Sequence, residues 1–128
     1  MVLRSLAEVH HGHVLFITSA RQLQPEHVFT IAITVRSAAT TLALCLAQEA
    51  ASKNVQVNVI QPNYLYSELY YPSEYFKNSE QGRLEISNKV PMGRLGEPNE
   101  LGELVELSIS GRSAFTTGQV INFTGGWP

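Results

Sequence analysis

The chain alternates short apolar runs with polar loops, and the runs follow two different periods. Residues 13–19, "HVLFITS", form an unbroken β-branched and aromatic run, the pattern of a strand buried on both faces. After a loop containing Pro25, residues 31–52 are rich in small and apolar side chains. Ile31, Val35, Ala38, Leu42, Cys45 and Leu46 fall on one helical stripe, and Ala39, Ala43, Leu44 and Ala47 make most of the remainder apolar. A helix that is apolar nearly all round has to be covered nearly all round. In so short a chain this predicts a partner subunit against the helix 31–52.

A second strand, "VQVNVIQP" at 55–62, sets Val55, Val57 and Val59 on one face and closes at Pro62, which cannot extend a sheet ladder. The polar and aromatic loop "NYLYSELYYPSEYF" leads to a short helix near residues 79–88. "GEPNELGELVELSIS" predicts a further helix, with Glu97, Glu100 and Glu103 near its positive end. "TGQVINFTGG", residues 117–126, is a third strand ending in a Gly-Gly turn. Strand, helix, strand, helices, strand is the order of an α/β fold with a parallel sheet, one unit over residues 1–128. The first strand has an interior composition, so its free edge would be a template for association. The chain also opens in an apparent helix, "LRSLAEVHH", with nothing before it to pack against. The sequence is patterned like the second half of a larger sheet.

Composition narrows the function classes. With 44% hydrophobic and 16% charged residues, the chain is expected to be soluble and globular. Its net charge is -2 and its basic residues are scattered, so no nucleic-acid partner is expected. No apolar run reaches the roughly 18–20 residues of a membrane span, and the N-terminus lacks a secretory pattern, so no membrane association is expected. Cys45 is the one cysteine; a buried, inert thiol in a cytoplasmic, reducing setting is the expectation. All eleven acidic residues are glutamates, which excludes a Ser-His-Asp triad and an EF-hand loop.

The candidate chemistry lies where the first strand meets the helix. Ser19 ends the strand, Arg36 lies near the helix start, and Ala32 stands thirteen positions after Ser19. A serine there serves equally as a helix cap, and Arg36 as an anchor on backbone carbonyls or Glu26. Tyr64, Tyr66, Tyr70, Tyr71, Tyr75 and Phe76 would line a pocket or make a sticky surface at the sheet's end. "HHGH", residues 10–13, lacks a carboxylate or cysteine beside it, so no metal site is expected.

Ser19, the helix with Arg36, and the stretch "RLGEPNELGELVELSISGRSAFTTGQVINFTGGWP" together resemble the C-terminal half of the short-chain dehydrogenase/reductase superfamily. Within it the likeness is greatest to the halohydrin dehalogenases. Family dehydrogenases place a tyrosine about thirteen positions after the serine, then three residues and a lysine; the dehalogenase branch has arginine for that lysine, as at Arg36. "QPNYLYSE" resembles the dehalogenases' halide loop where other members have a Pro-Gly pair. The likeness runs from about Gly12 to Pro128. The gapless spacing puts Ala32 at the tyrosine position.

The resemblance implies a partial Rossmann-like, doubly wound parallel sheet of about three strands with flanking helices, the N-terminal nucleotide-binding half absent. It implies that serine and tyrosine hydroxyls hold a haloalcohol's oxygen, that a tyrosinate takes its proton, and that the alkoxide displaces the neighbouring halide to form an epoxide. Arginine lowers the tyrosine pKa by its fixed charge. By transfer, Ser19 and Arg36 are the catalytic residues remaining, and Pro62, Asn63, Tyr64, Leu65 and Tyr70 bind halide or substrate. Ala32 takes no proton, and losing a positioned base costs about 10²–10⁴-fold. Thr30 and Thr34 are turned away from it and weakly acidic; His27, in the loop before the helix, could titrate near neutrality but is not expected to rescue the chemistry. No G-x-G-x-x-G occurs, so no NAD(P) cofactor is expected. The expectation is an impaired dehalogenase-type protein. The alternatives are a non-catalytic module that self-associates or docks on a complete family member, and a fragment of an NAD(P)-dependent oxidoreductase.

Overall fold

A computed structural model describes residues 11–128; the helix expected over "LRSLAEVHH" and the imidazole of His10 lie outside the described residues. Three strands, β1 (Gly12–Ile17), β2 (Val55–Pro62) and β3 (Val120–Phe123), form one parallel sheet in the order β1-β2-β3. The helices are α1 (Thr30–Ala50), α2 (Ser73–Phe76), α3 (Glu80–Lys89) and α4 (Pro98–Ile109). Short 3-10 turns at Ala20–Gln22 and Ala51–Lys53 flank α1. The α/β parallel sheet is as expected.

The central strand is β2, where Val55, Val57, Val59, Ile60 and Gln61 are all buried. β1 is the edge and only half-buried, because its outer side has no strand partner among the described residues. The run "HVLFITS" therefore forms an edge with an interior composition. Val14 and Phe16 pack with Ala43 and Ala47 of α1, while the His13 ring lies near Gly111, just past α4. Successive strand residues face opposite sides, so α1 and α4 cover opposite faces of the sheet. The third strand is shorter than the expected 117–126, since Thr117 and Gln119 instead bond Val57 and Asn58 as a loop.

α1 corrects two expectations. The stripe of Ile31, Val35 and Leu42 points outward, at 81%, 62% and 52% exposure, and Cys45 is exposed with it. The face on the sheet is made of Thr40, Ala43 and Ala47 instead. Small side chains let the helix lie close over β2, which leaves the larger ones outside. The stretch Thr30–Lys53 is also long and apolar enough, at mean hydropathy 1.6, to cross a membrane, contrary to the expectation from apolar runs. Its packing on β2 is that of a helix covering a sheet.

Candidate functional site at the carboxyl ends of the strands

Ser19 follows β1 in extended backbone and caps the 3-10 turn, its Oγ accepting from the Arg21 N–H at 3.2 Å. Arg36 reaches back from α1, its Nη1 donating to the Thr18 carbonyl at 2.9 Å. The strand end and the helix are thus joined beside Ser19. Ala32 is four residues before Arg36, hence on the same helical face, and is exposed. Ser19 and Arg36 meet at one corner of the sheet, Ala32 lying one helical turn before Arg36, and the cap expected of the serine and the carbonyl anchor expected of the arginine are both present there.

Beneath this corner is a buried polar network that the sequence did not disclose. Gln61 Nε2 donates to Thr40 Oγ1 at 2.9 Å and to Thr18 Oγ1 at 3.2 Å. The two threonine hydroxyls lie 3.0 Å apart, and Thr40 donates to the Arg36 carbonyl at 3.0 Å. One amide therefore fixes the end of β1, the middle of α1 and the end of β2 relative to each other. Thr18 and Gln61 lie at strand ends and Thr40 in mid-helix, so no local sequence pattern marks the three as partners.

The loop after β2 carries Pro62, Asn63, Tyr64 and Leu65. The Asn63 N–H extends the ladder to the Phe123 carbonyl at 3.1 Å, and its Nδ2 is buried without a partner among the described residues. Tyr64 has φ 53°, a left-handed conformation costly for a bulky residue. It is held there by its ring, which meets Trp127 edge-on at 5.7 Å and Tyr71 at 6.0 Å. On the far side, Gly96 bonds the Tyr64 carbonyl and accepts from the Tyr66 N–H. A Cβ at Gly96 would lie 2.6 Å from the Phe123 ring, so only glycine allows this approach. Among the described residues no group accepts from the Tyr64 or Leu65 N–H, so these two amides are the donors left for an anion. Tyr70 stands apart from them, 72% exposed; it is Tyr71 that packs on Tyr64. A cleft of about 360 Å³ opens between Asn63, Tyr64, Arg94, Phe123 and Thr124, at the strand ends where open α/β sheets bind ligands.

The Thr34 hydroxyl donates to the Thr30 carbonyl at 2.8 Å. Burial pushes the Tyr71 hydroxyl above its ordinary pKa, away from tyrosinate. His27 is exposed in the loop before α1. That loop is pinned by Arg21, which pairs with Glu26 and lies over the Phe29 ring at 4.4 Å.

Residues 2–128 match a family model described as enoyl-(acyl carrier protein) reductase. The chain belongs to the short-chain dehydrogenase/reductase family. Among solved members of this family it is similar to a halohydrin dehalogenase bound to ethyl (2S)-oxiran-2-ylacetate. That likeness has 35% identity and a TM-score of 0.91, covering 99% of this chain and 52% of the other. A second structure, described as a dehalogenation enzyme, is 28% identical with a TM-score of 0.89, over 99% of this chain and 52% of its own. A tropinone reductase homologue of Arabidopsis thaliana is 31% identical over 115 residues, 90% of this chain and 43% of that protein. The chain spans about half the length of these short-chain dehydrogenase/reductase relatives. Among the described residues none forms a dinucleotide cradle of the family kind: β1 runs into Thr18, Ser19 and a 3-10 turn without glycine.

Proposed function

We propose that the chain is a short-chain dehydrogenase/reductase protein of halohydrin dehalogenase type, impaired in its chemistry at Ala32. Complete relatives of this type would convert a haloalcohol to an epoxide and halide. The observation that carries the reading is the placement of Arg36 one turn after Ala32, tied to the carbonyl beside Ser19. Ser19 keeps a hydroxyl to hold the substrate oxygen, Arg36 keeps the fixed charge, and the Tyr64 and Leu65 amides serve the departing halide. With a methyl at residue 32, nothing takes the substrate proton. The test is a fusion of this chain to the N-terminal half of a dehalogenase, with and without Ala32→Tyr. Halide release from a vicinal haloalcohol should require the substitution. A repaired fusion that binds halide yet stays inactive would place the base elsewhere.

A second reading is favoured by the outward stripe of α1: the chain acts as an interaction module, self-associating or docking on a complete family member. Ile31, Val35, Ala38, Leu42 and Cys45 recur at alternating spacings of four and three, as in helices that pair along a seam. The free thiol of Cys45 fits a cytoplasmic, reducing setting. Sedimentation at several concentrations tests this reading, which a monomer throughout would refute.

A further inference from the structure

We propose that the cleft at the ends of β2 and β3 binds a small uncharged alcohol, its hydroxyl held between the Asn63 amide and the Thr124 hydroxyl. The inference does not rest on the reading of the Ser19 corner. Ser19 follows β1, and the cleft lies across β2 from it, on the β3 side.

Two polar side chains line this cleft with nothing to bond. Thr124 is 7% exposed and Asn63 is 8% exposed. The Thr124 hydroxyl has no hydrogen-bond partner among the described residues, and the Asn63 Nδ2 is buried without one. Strand register brings the pair together. Pro62 stands opposite Phe123 in the β2–β3 ladder, and the Asn63 N–H continues it to the Phe123 carbonyl at 3.1 Å. The next step of that register sets Asn63 beside Thr124, about one strand spacing of ~4.8 Å away and with both side chains on one face. One hydroxyl spans that gap. Because it both donates and accepts, it suits the threonine hydroxyl and the amide in either orientation. Buried polar groups left unpaired cost free energy, and a ligand that pairs these two recovers part of it.

The walls of the cleft select against charge. Arg94 and Glu100 are the ionised side chains of its lining, and they bond each other at 2.6 Å. An ion entering the cleft would shed water without gaining a counter-charge. Met92, Leu95 and the Phe123 ring make the rest of the wall apolar. The space of about 360 Å³ takes a ring-sized hydrocarbon. An uncharged hydroxyl on a compact apolar body matches both parts of the lining, a few polar groups set in an apolar wall.

The probe is cyclohexanol, titrated into the full chain and followed in the proton–nitrogen amide spectrum. The amides of Thr124, Gly125 and Gly126 should shift saturably, and those of Ser19 and Ala32 should not. Thr124→Val, which keeps the branched shape and removes the hydroxyl, should weaken binding about 3–10-fold, the worth of one hydrogen bond. Thr124→Ser should retain binding. Since the hydroxyl has no partner among the described residues, Thr124→Val should melt no lower than the parent, which separates lost binding from lost structure. Cyclohexylammonium and cyclohexanecarboxylate should not compete. A cleft that holds only water gives no saturable shift and overturns the proposal. Equal binding by Thr124→Val, or by either charged probe, overturns it too. Shifts centred on Ser19 instead would put the alcohol at the dehalogenase corner and refute the second site. Halide release by the fusion is read separately, so its failure leaves cyclohexanol binding intact.

Discussion

Arg36 donates to the carbonyl of Thr18 at 2.9 Å, linking the second turn of α1 to the residue before Ser19. A guanidinium that holds a backbone carbonyl is a structural clasp, and it also keeps a positive charge beside the serine. Arg36→Gln should therefore cost stability as well as charge. Because Arg36 is exposed, solvent screens the bond, and the expected loss is about 1 kcal/mol. A urea-unfolding midpoint unchanged by the substitution would show that the clasp contributes nothing.

The network beneath the clasp should matter more. Gln61 is completely buried, and Gln61→Ala leaves the Thr18 hydroxyl without its donor and Thr40 with only the one from Thr18. Abandoned buried polar groups cost roughly 1–3 kcal/mol. Thr34→Ala, which removes an exposed hydroxyl bonded within its own helix, should change stability by less than about 0.5 kcal/mol. Equal effects of the two substitutions in chemical denaturation would contradict the role given to Gln61.

The start of α4 should be sensitive to acid. Glu100 accepts two bonds from Arg94 and one from the Glu97 N–H. Arg94 foremost, then that N–H, hold its pKa down at about 2, against an ordinary 4.5. A carboxylate depressed on folding contributes stability that is complete above the unfolded pKa and is lost as pH falls through the folded one. The loss should thus develop between about pH 4.5 and 2. Glu68, also lowered to about 2 chiefly by the Tyr66 hydroxyl, contributes over the same range. Glu100→Gln should flatten the acid limb of a stability–pH profile, and an unchanged limb would contradict this assignment.

If α1 pairs with another molecule, Val35→Lys with Leu42→Lys should disperse the assembly without unfolding the monomer, because both residues are more than half exposed. The parent chain's melting midpoint should rise with protein concentration, and the variant's should not. The same dependence in both would rule out this face.

The strand order and the parallel sheet were legible because β-branched runs separated by an apolar helix leave few alternatives. The sequence also offered Arg36 as an anchor on backbone carbonyls, and its bond to the Thr18 carbonyl is one. The orientation of α1 was not legible. Hydrophobic periodicity marks the stripe that wants covering, but the sheet selected the small residues Thr40, Ala43 and Ala47, whose value lies in close approach. The same limit hid Cys45's exposure. The left-handed backbone of Tyr64 and the bridge from its loop to Gly96 arise from contacts across more than thirty positions of sequence, which local patterning does not encode.

The central claim is that a methyl at residue 32 silences an otherwise dehalogenase-like corner. Its most direct test is halide release from a vicinal haloalcohol by the fusion to a dehalogenase N-terminal half, comparing Ala32 with Ala32→Tyr. The tyrosine should raise the rate about 10²–10⁴-fold, and Ser19→Ala should remove that gain. Equal rates for the two, with both proteins folded, would contradict the claim.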